Sequence, residues 1–87
     1  RADVVITDTW ESMGEEVHEK IISELSQYTI NERMMSLLGD DCIFMHCLPA
    51  KRGQEVTSDV IDGPQSVVWD EAQNRFHIQK EILKWCL

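Results

Sequence analysis

Three short apolar runs, each closed by a polar residue and separated by stretches of helical period, constrain this chain more than any other feature. The clearest is Cys42-Ile43-Phe44-Met45. Four apolar residues in succession are the pattern of a strand covered on both faces. Val4-Val5-Ile6-Thr7 is β-branched or nearly so and stops at Asp8, and Ser66-Val67-Val68-Trp69 stops at Asp70. Both read as strands. Residues 9–14 read as a loop, and a helix is expected from residue 15 to about 27. Val17, Ile21, Ile22, Leu25 and Tyr28 share one face of it, and Ser12 with Glu15 resembles a capping box. A second short helix over residues 32–38 has Asn31 as its expected N-cap and Gly39 as its stop. Thr57 is placed to cap a third through about Ile61, ended by Asp62-Gly63-Pro64. A last helix runs from Asp70 toward Trp85, with Ala72, Phe76, Leu83 and Leu87 on its apolar side.

The expected order is β-α-α-β-α-β-α over residues 1–87, read as one unit. Buried strands alternating with helices indicate parallel pairing by right-handed crossovers. The fold class is α/β, a partial doubly wound parallel sheet, since three strands make only part of one. Met34-Met35, Leu37-Leu38 and the three tryptophans, Trp10, Trp69 and Trp85, read as core. The chain opens on Arg1 and enters a strand almost at once, so it is expected to be a piece of a longer polypeptide.

Composition removes several function classes. Sixteen acidic against eight basic residues give a net charge of −8. No basic stripe exists to neutralise a phosphate backbone or an anionic membrane, so neither nucleic acid nor membrane is an expected partner. No apolar run approaches the ~18 residues of a membrane helix. Three cysteines without CxxC spacing suit reduced thiols in a cytoplasmic protein better than a disulfide framework. The three histidines are far apart, and only His46 and Cys47 are adjacent, so no metal site is expected.

Ligands of open α/β sheets bind beyond the carboxyl ends of the strands. That rule selects Asp8 and the loop to Gly14, then His46-Cys47-Leu48-Pro49, then Asp70 with Asn74 and Arg75 on the last helix. A carboxylate, a thiol and a guanidinium thus fall at one edge. Each also has a purely structural reading. Asp8 can cap a turn, Ser12 a helix, Cys47 can be a small buried residue, and Arg75 a solvated one. The residue types alone leave both readings open.

The wording of these segments is more specific. Asp8-Thr9-Trp10-Glu11-Ser12-Met13-Gly14 resembles the D-x-W-x-S-M-G loop of ornithine carbamoyltransferases. Phe44-Met45-His46-Cys47-Leu48-Pro49-Ala50 is similar to their F-M-H-C-L-P segment. Glu55-Val56-Thr57 and Glu71-Ala72-Gln73-Asn74-Arg75 match their E-V-T and E-A-x-N-R stretches. Four blocks in order, correctly spaced, cover essentially the whole chain. The resemblance implies the later part of the carboxyl-terminal, ornithine-binding domain of a two-domain enzyme, Rossmann-like in fold. The phosphate-binding S-x-R-T and H-P-x-Q motifs of the amino-terminal, carbamoyl-phosphate domain are absent, so the isolated piece is expected to be inactive.

By position, the resemblance implies that Asp8 holds the ornithine α-amino group, with Ser12 and Met13 completing that pocket. It implies that Cys47 orients or deprotonates the δ-amine, and that Cys47 and Leu48 line the carbamoyl group. Arg75 would donate to the carbamoyl oxygen as charge develops there. His46 and Pro49 would shape the turn, whose Leu48-Pro49 bond is cis in the family. The implied partners are L-ornithine and carbamoyl phosphate in a homotrimer built through the missing amino-terminal domain, with no metal or organic cofactor. A sibling using putrescine or acetylornithine, or a non-catalytic α/β binding module, are the alternatives. Aspartate as acceptor calls for cationic side chains that residues 8–14 lack.

Overall fold

A computed structural model describes residues 1–11 and 19–87. Strand β1, Val4–Thr7, and strand β2, Ile43–His46, pair in parallel. Their register sets Val4 beside Ile43, Val5 beside Phe44, Ile6 beside Met45 and Thr7 beside His46. The residues just past each strand, Asp8 and Cys47, therefore emerge side by side. Between the strands lie helix α1, Glu19–Leu25, a 3-10 turn over Ser26–Tyr28, and helix α2, Glu32–Leu38. Helix α3, Ser58–Ile61, and helix α4, Val68–Cys86, come after β2.

Local chemistry explains most of these boundaries. The Asn31 side chain accepts the Met34 N–H at 2.9 Å, a true N-cap for α2. Gly39, at φ 109°, ends that helix in a conformation that side chains resist. Thr57 stands at the N-cap position of α3, but its side chain makes no capping bond there. The expected start of the first helix and its capping box at Ser12 and Glu15 lie outside the described residues.

The third strand is corrected. Of Ser66-Val67-Val68-Trp69, only Ser66 is paired across the sheet, in a single parallel bridge to Phe44 whose hydrogen bonds are made by its neighbours Gln65 and Val67. Helix α4 then begins at Val68, two residues before the expected start. Two rungs form: Phe44 N–H donates to the Gln65 carbonyl at 2.8 Å, and Val67 N–H donates to the Phe44 carbonyl at 3.0 Å. The next rung would need the Val67 carbonyl, which instead accepts the Glu71 N–H at 2.9 Å as the first bond of α4. With the backbone turning into α4 at Val68, that carbonyl is aimed along the helix rather than toward β2, and the ladder ends. The observed order is therefore β-α-α-β-α-α, with a two-stranded parallel sheet.

The core is built from Ile30, Met35, Cys42, Phe44, Val56, Val60, Ile61 and Val68. Along β2, Phe44 and His46 are buried while Ile43 and Met45 are only partly so. The strand therefore has one fully covered face rather than the two expected. Leu37, Trp69 and Trp85, expected inside, are exposed. In α4 only Val68 is buried. Phe76, Leu83 and Leu87, the expected apolar side, continue the line of Trp69 in the open. Ile78, Ile82 and Trp85 form a second exposed stripe on the opposite side, half a turn away. Among the described residues, no helix is long and apolar enough to cross a membrane.

Candidate active site

The parallel register delivers Asp8 and Cys47 to the same edge, and their side chains meet. The Cys47 thiol donates to Asp8 Oδ1 at 3.1 Å, and the Thr9 N–H donates to the same oxygen at 2.7 Å. The Cys47 bond, followed by that of Thr9, holds the Asp8 carboxyl below the ordinary carboxylate range. The same bond pushes the Cys47 thiol up, with desolvation and the charges of Asp8 and Glu71 adding to it. In this arrangement Asp8 is an anion and Cys47 a protonated thiol, both exposed at the sheet edge. Lys51 pairs with Glu11, tying the loop after β2 to the segment after β1.

Beneath this edge lies a fully buried pair. His46 Nε2 and Glu55 Oε1 are 2.9 Å apart, and both side chains are inaccessible to solvent. His46 Nδ1 accepts the Leu48 N–H at 2.8 Å, so the ring proton must sit on Nε2 and point at Glu55. Glu55 Oε1 also accepts the Lys51 N–H at 2.8 Å. Glu55 is itself fixed by its backbone: its carbonyl accepts the Ile30 N–H at 2.9 Å, beside the parallel bridge of Ile30 to Val56. Imidazole and carboxylate together therefore clasp both sides of the turn 48–51. Leu48 occupies the left-handed region at φ 57°, unusual for a branched residue, and the Leu48–Pro49 bond is cis. The left-handed φ of Leu48 persists because the surrounding bonds over-determine it.

Arg75 faces the same edge from α4. Cys47, Glu71, Ala72, Asn74, Arg75 and Ile78 line one open cleft of ≈ 380 Å³. Glu71 is half-buried there, and its Oε2 accepts the His46 backbone N–H at 3.0 Å. Of the expected site residues, the structure thus brings together Asp8, His46, Cys47, Leu48 and Pro49, with Arg75 across the cleft. Ser12 and Met13 lie outside the described residues. Among the described residues, ligand atoms of Asp8, His46 and Cys47 lie within 4.8 Å of one another, close enough to meet at a single ion. Both His46 ring nitrogens are already engaged, however, so the cluster has no imidazole lone pair to offer.

Two residues at this site carry no site role in the sequence reading. Glu55 gives no local signal, because its partner is nine positions away and burial of a carboxylate is a tertiary event. Glu71 reads as an ordinary acidic residue of a helix first turn.

A family model for the Asp/Orn-binding domain of aspartate/ornithine carbamoyltransferases matches residues 1–86. The chain belongs to the aspartate/ornithine carbamoyltransferase family. Among curated members of the family, it is 62% identical over 86 residues to ornithine carbamoyltransferase of Rhodopseudomonas palustris, covering 99% of this chain and 28% of that protein. It is 60% identical over 85 residues to that of Bradyrhizobium diazoefficiens, covering 98% of this chain and 28% of the relative. Among solved structures, ornithine carbamoyltransferase of Pyrococcus furiosus superposes with a TM-score of 0.85 at 51% identity, covering 94% of this chain and 26% of that one. An acetylornithine transcarbamylase complexed with acetylcitrulline gives 0.76 at 35% identity, covering 94% and 25%. The chain spans little more than a quarter of the length of these carbamoyltransferases.

Proposed function

We propose that the protein containing this chain is an ornithine carbamoyltransferase. It would transfer the carbamoyl group of carbamoyl phosphate to the δ-amine of L-ornithine, giving L-citrulline and phosphate. The observation that carries this reading is the edge itself: an anionic Asp8 bonded to Cys47, and a cleft of ≈ 380 Å³ that Cys47 and Arg75 line together. A carboxylate suits a cationic amino-acid head, and a guanidinium suits an oxygen that gains negative charge. Residues 1–87 are read as the carboxyl-terminal part of the amino-acid-binding domain, its sheet extended in the whole protein into a doubly wound one. Carbamoyl phosphate would be held by a separate domain, in a cytoplasmic homotrimer.

The reaction needs little from the chain beyond placement and charge. The neutral δ-amine attacks the carbonyl carbon, a C–N bond forms, the C–O bond to phosphate breaks, and the proton lost by the amine ends on the departing phosphate. Arg75 would stabilise the oxyanion of the tetrahedral intermediate, and the Leu48 turn would line the carbamoyl group beside it. Cys47, held as a thiol by Asp8, is better placed to orient the amine through a sulfur lone pair than to remove its proton. Most of the acceleration would come from holding two substrates together and stabilising that charge. Carbamoyl phosphate is already activated, so the chemistry calls for no metal or organic cofactor.

Ornithine is preferred over its siblings because curated relatives between 53% and 62% identical are ornithine carbamoyltransferases. The acetylornithine transcarbamylases stand at 35% and 36%. The test is an assay of the full-length protein with carbamoyl phosphate and, in turn, ornithine, putrescine, acetylornithine and aspartate. Citrulline formation from ornithine at the highest kcat/KM is expected. Preference for another amine overturns the acceptor, and no turnover with any of them overturns the reaction.

A further inference from the structure

We propose that Glu71 is a positioning residue that sets Cys47 against Arg75 by supplying, from its side chain, the rung the sheet lacks. The inference rests on the carbamoyltransfer reading above. Its geometry comes from one substitution of acceptors. In a parallel ladder continuing from Phe44 and Ser66, the His46 N–H would donate to the Val67 carbonyl. That carbonyl is taken by the Glu71 N–H at 2.9 Å, and the His46 N–H is taken by Glu71 Oε2 at 3.0 Å. The same residue that closes the ladder with its backbone reopens it with its carboxylate. A sheet rung has become a strand-to-helix tether.

The position of that tether gives it a use. The His46 N–H belongs to the Met45–His46 peptide, at the last position of β2 and one residue before Cys47. Glu71 lies in the first turn of α4, and Arg75 comes four residues later on the same helical face, about 6 Å along the axis. Among the described residues, this is the only side-chain hydrogen bond between α4 and β2. Cys47, Glu71 and Arg75 all line the one cleft. The thiol and the guanidinium would act on opposite ends of one reacting amine–carbonyl pair, so an error in their spacing falls directly on the transition state. A misplacement of about 1 Å there can cost on the order of 100-fold in rate.

The experiment compares Glu71→Ala, Glu71→Gln and Glu71→Asp in the full-length protein. Glutamine keeps an acceptor at the same reach without the charge, whereas aspartate keeps the charge and shortens the reach by one methylene. Alanine is expected to lower kcat by about tenfold or more while KM for ornithine changes less than threefold. Glutamine is expected to restore most of that turnover, and aspartate to behave like alanine. Hydrogen exchange of the His46 amide should quicken in the alanine and aspartate variants and stay slow with glutamine. Alanine holding kcat within threefold of the parent, or glutamine falling as far as alanine, overturns the positioning role. Unchanged His46 exchange in both shortened variants overturns the tether. An alanine variant that does not fold leaves the aspartate–glutamine comparison to decide in the same terms. A parent protein that forms no citrulline refutes the proposed reaction instead, and the exchange data still judge the tether.

Discussion

Replacing His46 by phenylalanine and Glu55 by leucine together should destabilise the protein, although such paired apolar replacements are commonly harmless. Breaking a buried pair from one side costs about 3–5 kcal/mol, because the surviving charge is left uncompensated. His46→Phe alone does this to a Glu55 side chain that is 0% exposed. Exchanging both partners for apolar groups of similar volume removes the stranded charge and is often neutral. This pair differs in having clients. His46 Nδ1 accepts the Leu48 N–H and Glu55 Oε1 accepts the Lys51 N–H, each at 2.8 Å. The double variant orphans both amides. An unsatisfied buried donor costs about 1–3 kcal/mol, and the low end suits these part-buried sites, giving about 2 kcal/mol in all. At about 2–4 °C per kcal/mol for a mid-sized domain, Tm of the full-length protein should fall by about 4–8 °C. His46→Phe alone should fall further. Thermal melts of the parent, both single variants and the double variant make a complete cycle. A double variant melting with the parent would refute the claim that the pair exists to hold the 48–51 turn.

Three further outcomes are expected. Arg75→Ala in the full-length protein should lower kcat by about 100-fold or more, the usual consequence of losing an oxyanion donor; steady-state kinetics showing an unchanged kcat would remove Arg75 from that role. Asp8→Asn should shift the pH profile of Cys47 alkylation by iodoacetamide to lower pH. Losing the carboxylate that raises the thiol lets more thiolate form at a given pH. An unmoved profile would mean the Asp8–Cys47 bond does not form in solution. Gly63→Ala should cost about 1–3 kcal/mol by overpacking, because a Cβ at Gly63 would stand 2.5 Å from the Asp59 carbonyl oxygen; calorimetry showing no change in Tm would indicate that α3 has room to give.

Sequence pattern was sufficient where local chemistry decides. Asn31 announces α2 because its capping bond reaches only three residues, and β1 has the expected bounds. For β2 the apolar run missed the true strand by one residue, since His46 is buried by its partner and not by its own polarity. The third strand failed for a physical reason visible in its residues. Val67 and Val68 favour a strand, Asp70 and Glu71 favour a helix first turn, and four residues cannot serve both. The helix prevailed because the Glu71 side chain satisfies the amide that the lost strand would have served. At the candidate site, the strand-end rule singled out Asp8 and Cys47, and the parallel register makes them neighbours. Glu55 was beyond that rule: nothing adjacent in sequence shows that a carboxylate will be buried against an imidazole.

The two opposed apolar stripes of α4 bear on how the 87-residue chain behaves as a solute. A helix with one such stripe can lay it against its own core. A helix with Phe76 and Leu83 on one side and Ile78 and Ile82 on the other cannot, whichever way it rolls. Rotation hides one seam only by presenting the other to water. Dispersion of separate copies then depends on mutual repulsion from a net charge of −8. That repulsion reaches about 30 Å at 0.01 M salt but only about 8 Å at 0.15 M. Ionic strength, more than concentration alone, should therefore govern whether this chain stays apart from its copies.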